Sequence, residues 1–336
     1  MNQLLQNKAD NSVKSILADI FKYNGQKKAI LIYDQDNPLT RLLAEAYIKL
    51  MPLAQVILFS AEKSEFILKC FESLSPEDLV VLVQSSSFRL DEFRIRVHLF
   101  RQGLHVIEHP HLERVRPDEY ETYLDALYYE GDYYQSVGPQ LKAKIDSCTQ
   151  IEHVCGEHHL VFGGVCESAK LNIGDYTGMK NVGGQFPIGE VFTELKDLTL
   201  LNGVVPVFAF GDRNFRVSNS APSFLLEIKK GQVFSAKGAP DEFLAILDEI
   251  NQHEGCVWVR ELGFGLNRAM TRSRQVLDVG IYERMCGIHL SLGGKHTVYP
   301  KAGFKKRPVK YHVDIFAQTD FVFIDGVKIF ENGAYL

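Results

Sequence analysis

A chain of 336 residues with 46% hydrophobic content can bury a substantial core, and its length points to two domains. A net charge of −5 at pH 7 offers no electrostatic footprint for nucleic acid or an anionic membrane surface, so neither is expected as a partner. Residues Met1 to Lys14 are polar and mixed in charge, unlike a secretory signal, and no apolar run approaches the roughly 20 residues of a membrane span.

The N-terminal part alternates short apolar runs with amphipathic stretches. Strands are predicted over 28–33, 55–59, 78–83 and 104–107, and helices over 39–50, 64–74 and 89–102. Near-continuous apolar strands separated by helices indicate a parallel sheet covered on both faces. The first strand is followed by Asp34-Gln35-Asp36-Asn37-Pro38 rather than by a glycine-rich turn. Side chains there hinder the close backbone approach a phosphate needs, so this domain is read as structural or substrate-shaping. Its histidines, His98, His105, His109 and His111, fall near element ends, where ordinary hydrogen bonding accounts for them.

The segment from Arg116 to Ser147 is polar, rich in tyrosine and helical in pattern, with Tyr120, Tyr123, Tyr128, Tyr129, Tyr133 and Tyr134 filling an amphipathic core. It links an α/β domain over 1–150 to a β-rich α+β domain over 151–336. In the second domain short strands and frequent glycines dominate. One helix starts after Ala239-Pro240 and runs to Gln252. Near the end, Asp325-Gly326 between two apolar runs signals a hairpin. The six cysteines, Cys70, Cys148, Cys155, Cys166, Cys256 and Cys286, are scattered without the two-residue spacing of a zinc or redox motif. They read as small core residues of a cytoplasmic protein.

Five side chains in the second domain have the chemistry of a metal site. In Tyr311-His312-Val313-Asp314 the alternation by two puts the imidazole and the carboxylate on one face of a strand. Upstream are His289 in Gly287-Ile288-His289-Leu290, Glu261 in Arg260-Glu261-Leu262-Gly263-Phe264-Gly265, and Glu190 in Phe186-Pro187-Ile188-Gly189-Glu190-Val191-Phe192. Each is flanked by glycine and apolar residues rather than by solvated charge. Two histidines and three carboxylates suit a pair of divalent cations bridged by a carboxylate, with zinc, cobalt or manganese as the metals such donors take. His158 and His159 beside Glu157 compete as a cluster, but adjacent strand residues face opposite ways. Arg260 and Arg268 flank the Glu261 motif, where surface ion pairing or contact with a substrate carboxylate would occupy them.

These motifs resemble the dinuclear metallo-aminopeptidases of the aminopeptidase T, or thermophilic metalloprotease, family. The resemblance rests on Phe186 to Thr193, Glu261 to Asn267, Gly287 to Gly293 and His312-Val313-Asp314, in the family's order and at similar separations. It implies that Glu190 bridges two metals, that Glu261, His289, His312 and Asp314 complete the site, and that the protein is a homodimer acting on small peptides or amides. Glu261 would pass a proton toward the leaving amine. The family's tyrosine, seven residues beyond the motif histidine, is replaced by His296, with Tyr299 three residues further on; either would steady an oxyanion. The chain is also shorter than typical members. A branch with the same fold consists of mononuclear iron(II) dioxygenases that open dihydroxypyridine rings and carry histidine at the position of Glu261. His289, His312 and Asp314 would serve an Fe(II) oxygenase, and a non-catalytic metal-binding descendant is the third reading.

Overall fold

The computed structural model describes residues 3–90, 93–294, 299 and 312–336. They form two compact units, Met1–Gly131 with Gly174–Ile188, and Asp132–Ile173 with Gly189–Leu336. The division is not a single cut at residue 150. The helix Gly131–Ser147 lies almost wholly in the second unit, where the Cα of Gly138 packs against the Ile173 side chain, and the segment 174–188 returns to the first.

The first unit is built on a five-stranded parallel sheet, in the order Gly183–Gln185, His105–His109, Leu79–Val83, Ala29–Tyr33, Gln55–Leu58. Leu79–Val83 is buried throughout, which is why its sequence lacks polar alternation. Gly183–Gln185 joins as an edge strand beside Val106 to Glu108, a pairing that the local sequence, two glycines and a glutamine, does not announce. The helix after the first strand, Pro38–Leu50, opens with proline, and the Asn37 side chain caps it by accepting from the Leu39 N–H at 2.7 Å. The expected helix over 89–102 is confined to Ile95–Arg101, with two-residue strands Arg89–Leu90 and Phe93–Arg94 pairing before it.

At the carboxyl ends of the two central strands, where open α/β sheets place their ligand crevice, the buried Asp34 carboxylate ties the loops together. It accepts from the Ser85 N–H at 2.6 Å and the Asp36 N–H at 3.1 Å, and also from the Ser85 hydroxyl. An anionic side chain thus takes backbone donors that a nucleotide-binding turn would offer to phosphate.

The second unit contains a large, curled antiparallel sheet. In its middle run Leu201–Gly211, His312–Ala317, Gly287–Gly293, Val259–Gly265, Glu190–Glu194 and Lys170–Asn172, each hydrogen-bonded to the next. Helix Asp241–Glu254 covers one face, where Phe243 meets Phe210 and Phe224 at ring separations of 5.0 and 4.6 Å. Phe210 pairs with Ile315, which alternation puts on the opposite face from Asp314. The hairpin forms as expected: Phe321–Ile324 pairs with Val327–Glu331, and Asp325 and Gly326 both have positive φ, 46° and 78°, as a tight two-residue turn requires.

The tyrosines do fill cores. Tyr120, Tyr123 and Tyr129 are buried in the first unit and Tyr134 in the second, while Tyr128 is half exposed.

Candidate metal centre

Register decides which side chains share a face. Glu190 stands opposite Gly265, Phe192 opposite Gly263 and Glu194 opposite Glu261; Gly263 in turn faces His289, Ser291 faces Asp314 and Gly293 faces His312. Residues in register on neighbouring strands point the same way. Glu190, Glu261, His289, His312 and Asp314, drawn from four strands, therefore lie on one face, the one opposite the helix Asp241–Glu254.

Two local features aim the donors. The register slips between Val259, opposite Leu292, and Leu262, opposite Leu290, so Arg260 and Glu261 form a bulge against Ser291. The Ser291 hydroxyl accepts the Glu261 N–H at 3.1 Å, which fixes the bulge and re-aims the glutamate. Gly263 makes room for the His289 ring: a Cβ there would fall 1.9 Å from the imidazole Cε1 and 2.1 Å from Nε2. Gly263 is thus required by this close approach rather than by a turn, whereas Gly189, just before Glu190, has φ 120°.

Glu190, Glu261 and His289 each offer one ligand atom within 4.8 Å of the others, and all three residues are buried. His289 Nε2 lies 3.2 Å from Glu190 Oε1 and 3.7 Å from Glu261 Oε1. Two donors on one ion at bonds of about 2.0–2.2 Å stand roughly 3–3.5 Å apart, so the His289–Glu190 spacing fits a shared cation and the His289–Glu261 spacing is slightly wider. His289 Nε2 and Glu261 Oε2 are buried without an aligned hydrogen bond, as is Asp314 Oδ1. Buried polar atoms left so are costly unless something else binds them. His312 and Asp314 form a separate pair, Nε2 to Oδ1 at 3.2 Å, with the His312 side chain 39% exposed and that of Asp314 6%.

The electrostatics are those of a site that needs positive charge. Burial would push His289 down, but Glu190 and Glu261 overcome it and raise the imidazole to about 10. The charge of Asp314 raises His312 to about 9 despite burial. Burial would likewise push Glu190 and Asp314 up, yet His289 and Arg284 hold Glu190, and His312 and His289 hold Asp314, below the usual carboxylate range. Without a cation, protons on the histidines balance the carboxylates. A metal ion would displace them, because imidazole binds metal only when neutral.

Two nearby residues were missed in the sequence. Glu194, 1% exposed, lies directly opposite Glu261. The even spacing of four in Glu190-Val191-Phe192-Thr193-Glu194 carried that signal, as the spacing of two did for His312 and Asp314. Arg284, whose charge reaches both Glu190 and Asp314, carried no local signal, because only the fold brings it there.

Other sequence candidates fall elsewhere. The Tyr299 hydroxyl lies 3.1 Å from the Ser168 carbonyl and 3.2 Å from that of Phe192, so its one proton is directed to the main chain; burial raises its pKa further. His296 lies outside the described residues. His159 pairs with Glu152 at 2.8 Å on an exposed surface. Arg268 stacks on the Tyr133 ring at 4.1 Å. Arg260 is 4% exposed, not a surface residue, and its Nε donates to the Gly293 carbonyl at 3.2 Å.

No known family's sequence pattern matches the chain, and no curated protein does. Solved structures do share the fold. One is 2,5-dihydroxypyridine dioxygenase from Pseudomonas putida KT2440, with a TM-score of 0.62 at 15% identity over 100% of this chain and 98% of that one. Another is wild-type AmpT from Thermus thermophilus, an aminopeptidase T, with a TM-score of 0.58 at 14% identity over 99% of this chain and 98% of that one. Both are enzymes, and at these identities the likeness is one of fold.

Proposed function

We propose that the protein is a metal-dependent hydrolase of the aminopeptidase type, cleaving the first amide bond of short peptides or aminoacyl amides. One observation carries the reading: two carboxylates and an imidazole, buried and converging from three strands, leave a nitrogen and an oxygen without aligned hydrogen bonds. Glu190, Glu261 and His289 would hold one cation; His312 and Asp314, with Glu190 as bridge, would hold a second. Zinc, cobalt or manganese in such a site supplies Lewis acidity and a water made acidic enough to attack near neutral pH. The chain's own groups do the rest. Glu261 Oε2 would take the proton of the attacking water and return it to the leaving amine. The Arg284 charge would keep Glu190 and Asp314 ionised.

Metal analysis of protein purified without chelator, paired with aminoacyl amides and dipeptides under added Zn²⁺, Co²⁺ or Mn²⁺, tests this. About two ions per chain and release of the N-terminal residue are expected. One iron per chain with oxygen uptake on hydroxylated pyridines would replace it with the ring-cleaving reading. That reading is supported by the dioxygenase of the same fold and by the His289, His312 and Asp314 set. A fully metallated protein silent on every substrate would instead favour a non-catalytic binding role.

A further inference from the structure

Cys148 and Cys166, well separated in the chain, are brought together by the hairpin between them. Ile151–Cys155 pairs with His158–Phe162, and Ile151 stands opposite Phe162, so the chain enters and leaves the hairpin side by side. A few residues further out the two arms meet again. The Asp146 carboxylate accepts the Ala169 N–H at 2.7 Å, and Lys142 Nζ donates to the Ala169 carbonyl at 2.7 Å. Cys148 and Cys166 fall between these two fixed points, and their side chains are hydrogen-bonded to each other. Cys148 Sγ donates to the Ile145 carbonyl at 3.2 Å, so the Cys166 thiol is the donor between the two sulfurs.

This arrangement has a definite chemistry. All six cysteines are thiols, and a sulfur already in contact with another needs only a small shift to reach a disulfide length of about 2.05 Å. The hydrogen bond from Cys166 favours the thiolate of Cys148, and against burial and the charge of Asp325 it holds that thiol below its usual range. Burial instead pushes the Cys155 and Cys256 thiols up. The cover over the pair is thin: Cys148 and Cys166 are each 2% exposed, yet Ser147, Thr149 and Val165 beside them are exposed. An oxidant only a few atoms in size reaches such a site through small local openings.

We propose that Cys148 and Cys166 form a reversible disulfide in response to peroxide. The Cys148 thiolate attacks one oxygen of hydrogen peroxide; an S–O bond forms, the O–O bond breaks, and the other oxygen leaves as hydroxide, which takes a proton to become water. Cys166 then attacks the sulfenic sulfur and gives up its proton; the S–S bond forms, the S–O bond breaks and a second water leaves. Two thiols are oxidised by two electrons, one peroxide is reduced to two waters, and a dithiol reductant reverses the change. The bond closes a loop of roughly 18 residues around the hairpin and so restricts the unfolded chain. It also ties the end of helix Gly131–Ser147 to the segment beside the strand of Glu190, where the Glu167 N–H donates to the Glu194 carbonyl at 2.7 Å and the Thr193 hydroxyl to the Glu167 carbonyl at 2.6 Å. None of this depends on the hydrolytic reading above.

The test exposes the folded full chain to a small excess of hydrogen peroxide, quenches it with catalase, blocks the remaining thiols with iodoacetamide in denaturant and maps the peptides by mass spectrometry. The wild type should lose two thiols per chain to a Cys148–Cys166 cross-link, at least about 10-fold faster than Cys155 or Cys256 is oxidised, and dithiothreitol should restore both. The oxidised chain should melt above the reduced one. Cys166→Ser should stop at a sulfenic acid on Cys148, trapped by dimedone, and Cys148→Ser should yield none on Cys166. Cys148 and Cys166 both remaining alkylated while Cys155 or Cys256 oxidises overturns the proposal, as does a cross-link that forms only in denaturant. An oxidised chain that melts below the reduced one, or a sulfenic acid on Cys166, also overturns it. The cross-link is read on the wild type, so a serine variant that fails to fold does not remove the test.

Discussion

Gly263 and His289 are cross-strand partners, and the imidazole of one occupies the space into which a side chain on the other would grow. The glycine is thus part of the site although it has no chemistry. Gly263→Ala puts a methyl group 1.9 Å from Cε1, so the ring must rotate away from Glu190 and Glu261. Overpacking of this kind costs about 1–3 kcal/mol. The variant should melt lower and, even when folded, bind Zn²⁺ at least about 10-fold more weakly. Wild-type affinity in a folded Gly263→Ala protein would show that His289 is not a ligand.

Glu190→Ala removes the carboxylate 3.2 Å from His289 Nε2. With chelator present it should destabilise the protein by about 3–5 kcal/mol, because a buried imidazolium loses its main partner. Without chelator the metal count should fall by at least one ion per chain, by elemental analysis. An unchanged count removes the bridging assignment.

In the wild type, saturating metal should stabilise and chelator should reverse it. At an ion concentration 100-fold above Kd the gain is about 2.7 kcal/mol. Melting temperature measured against Zn²⁺ concentration checks this, and a flat response would mean that the cluster binds no ion in the folded state.

Acid sensitivity should come from two other histidines. His109 is fully buried between the Tyr47 hydroxyl at 2.8 Å and the Tyr123 hydroxyl at 3.1 Å, and burial pushes it down to about 3. His153, within 3.0 Å of the Thr319 hydroxyl, is pushed down by burial to about 4. Unfolding lets both rings protonate near pH 6.5, while the folded protein keeps them neutral. Their contribution is complete above about pH 6.5 and is lost as pH falls toward 3–4, at roughly 1–1.5 kcal/mol per pH unit for each ring. In chelator, His109→Gln should flatten this acid limb of the stability curve measured by urea titration; an unchanged slope would rule His109 out as its source.

Asp34→Ala leaves the buried Ser85 N–H and the Asp36 N–H without their acceptor. A loss of about 1–3 kcal/mol is expected, with faster amide exchange in the loops after the two central strands. The metal content of the second unit should not change. Unaltered exchange at Ser85 would show that the carboxylate does not hold that loop.

The parallel sheet was legible because its strands are buried on both faces and so read as unbroken apolar runs. Glu190, Glu261, His289, His312 and Asp314 stood out as ionisable groups within apolar, glycine-flanked runs, and period-two alternation predicted that His312 and Asp314 share a face. The same alternation would have found Glu194. Register between strands was not legible, because it depends on pairings between segments far apart in the chain. Only the tertiary structure put Gly263 under His289, bent Glu261 inward through a bulge against Ser291, and brought Arg284 within reach of Glu190. Composition and spacing set which donors are available and which face each takes within its own strand. Whether they converge is decided by long-range hydrogen-bond register.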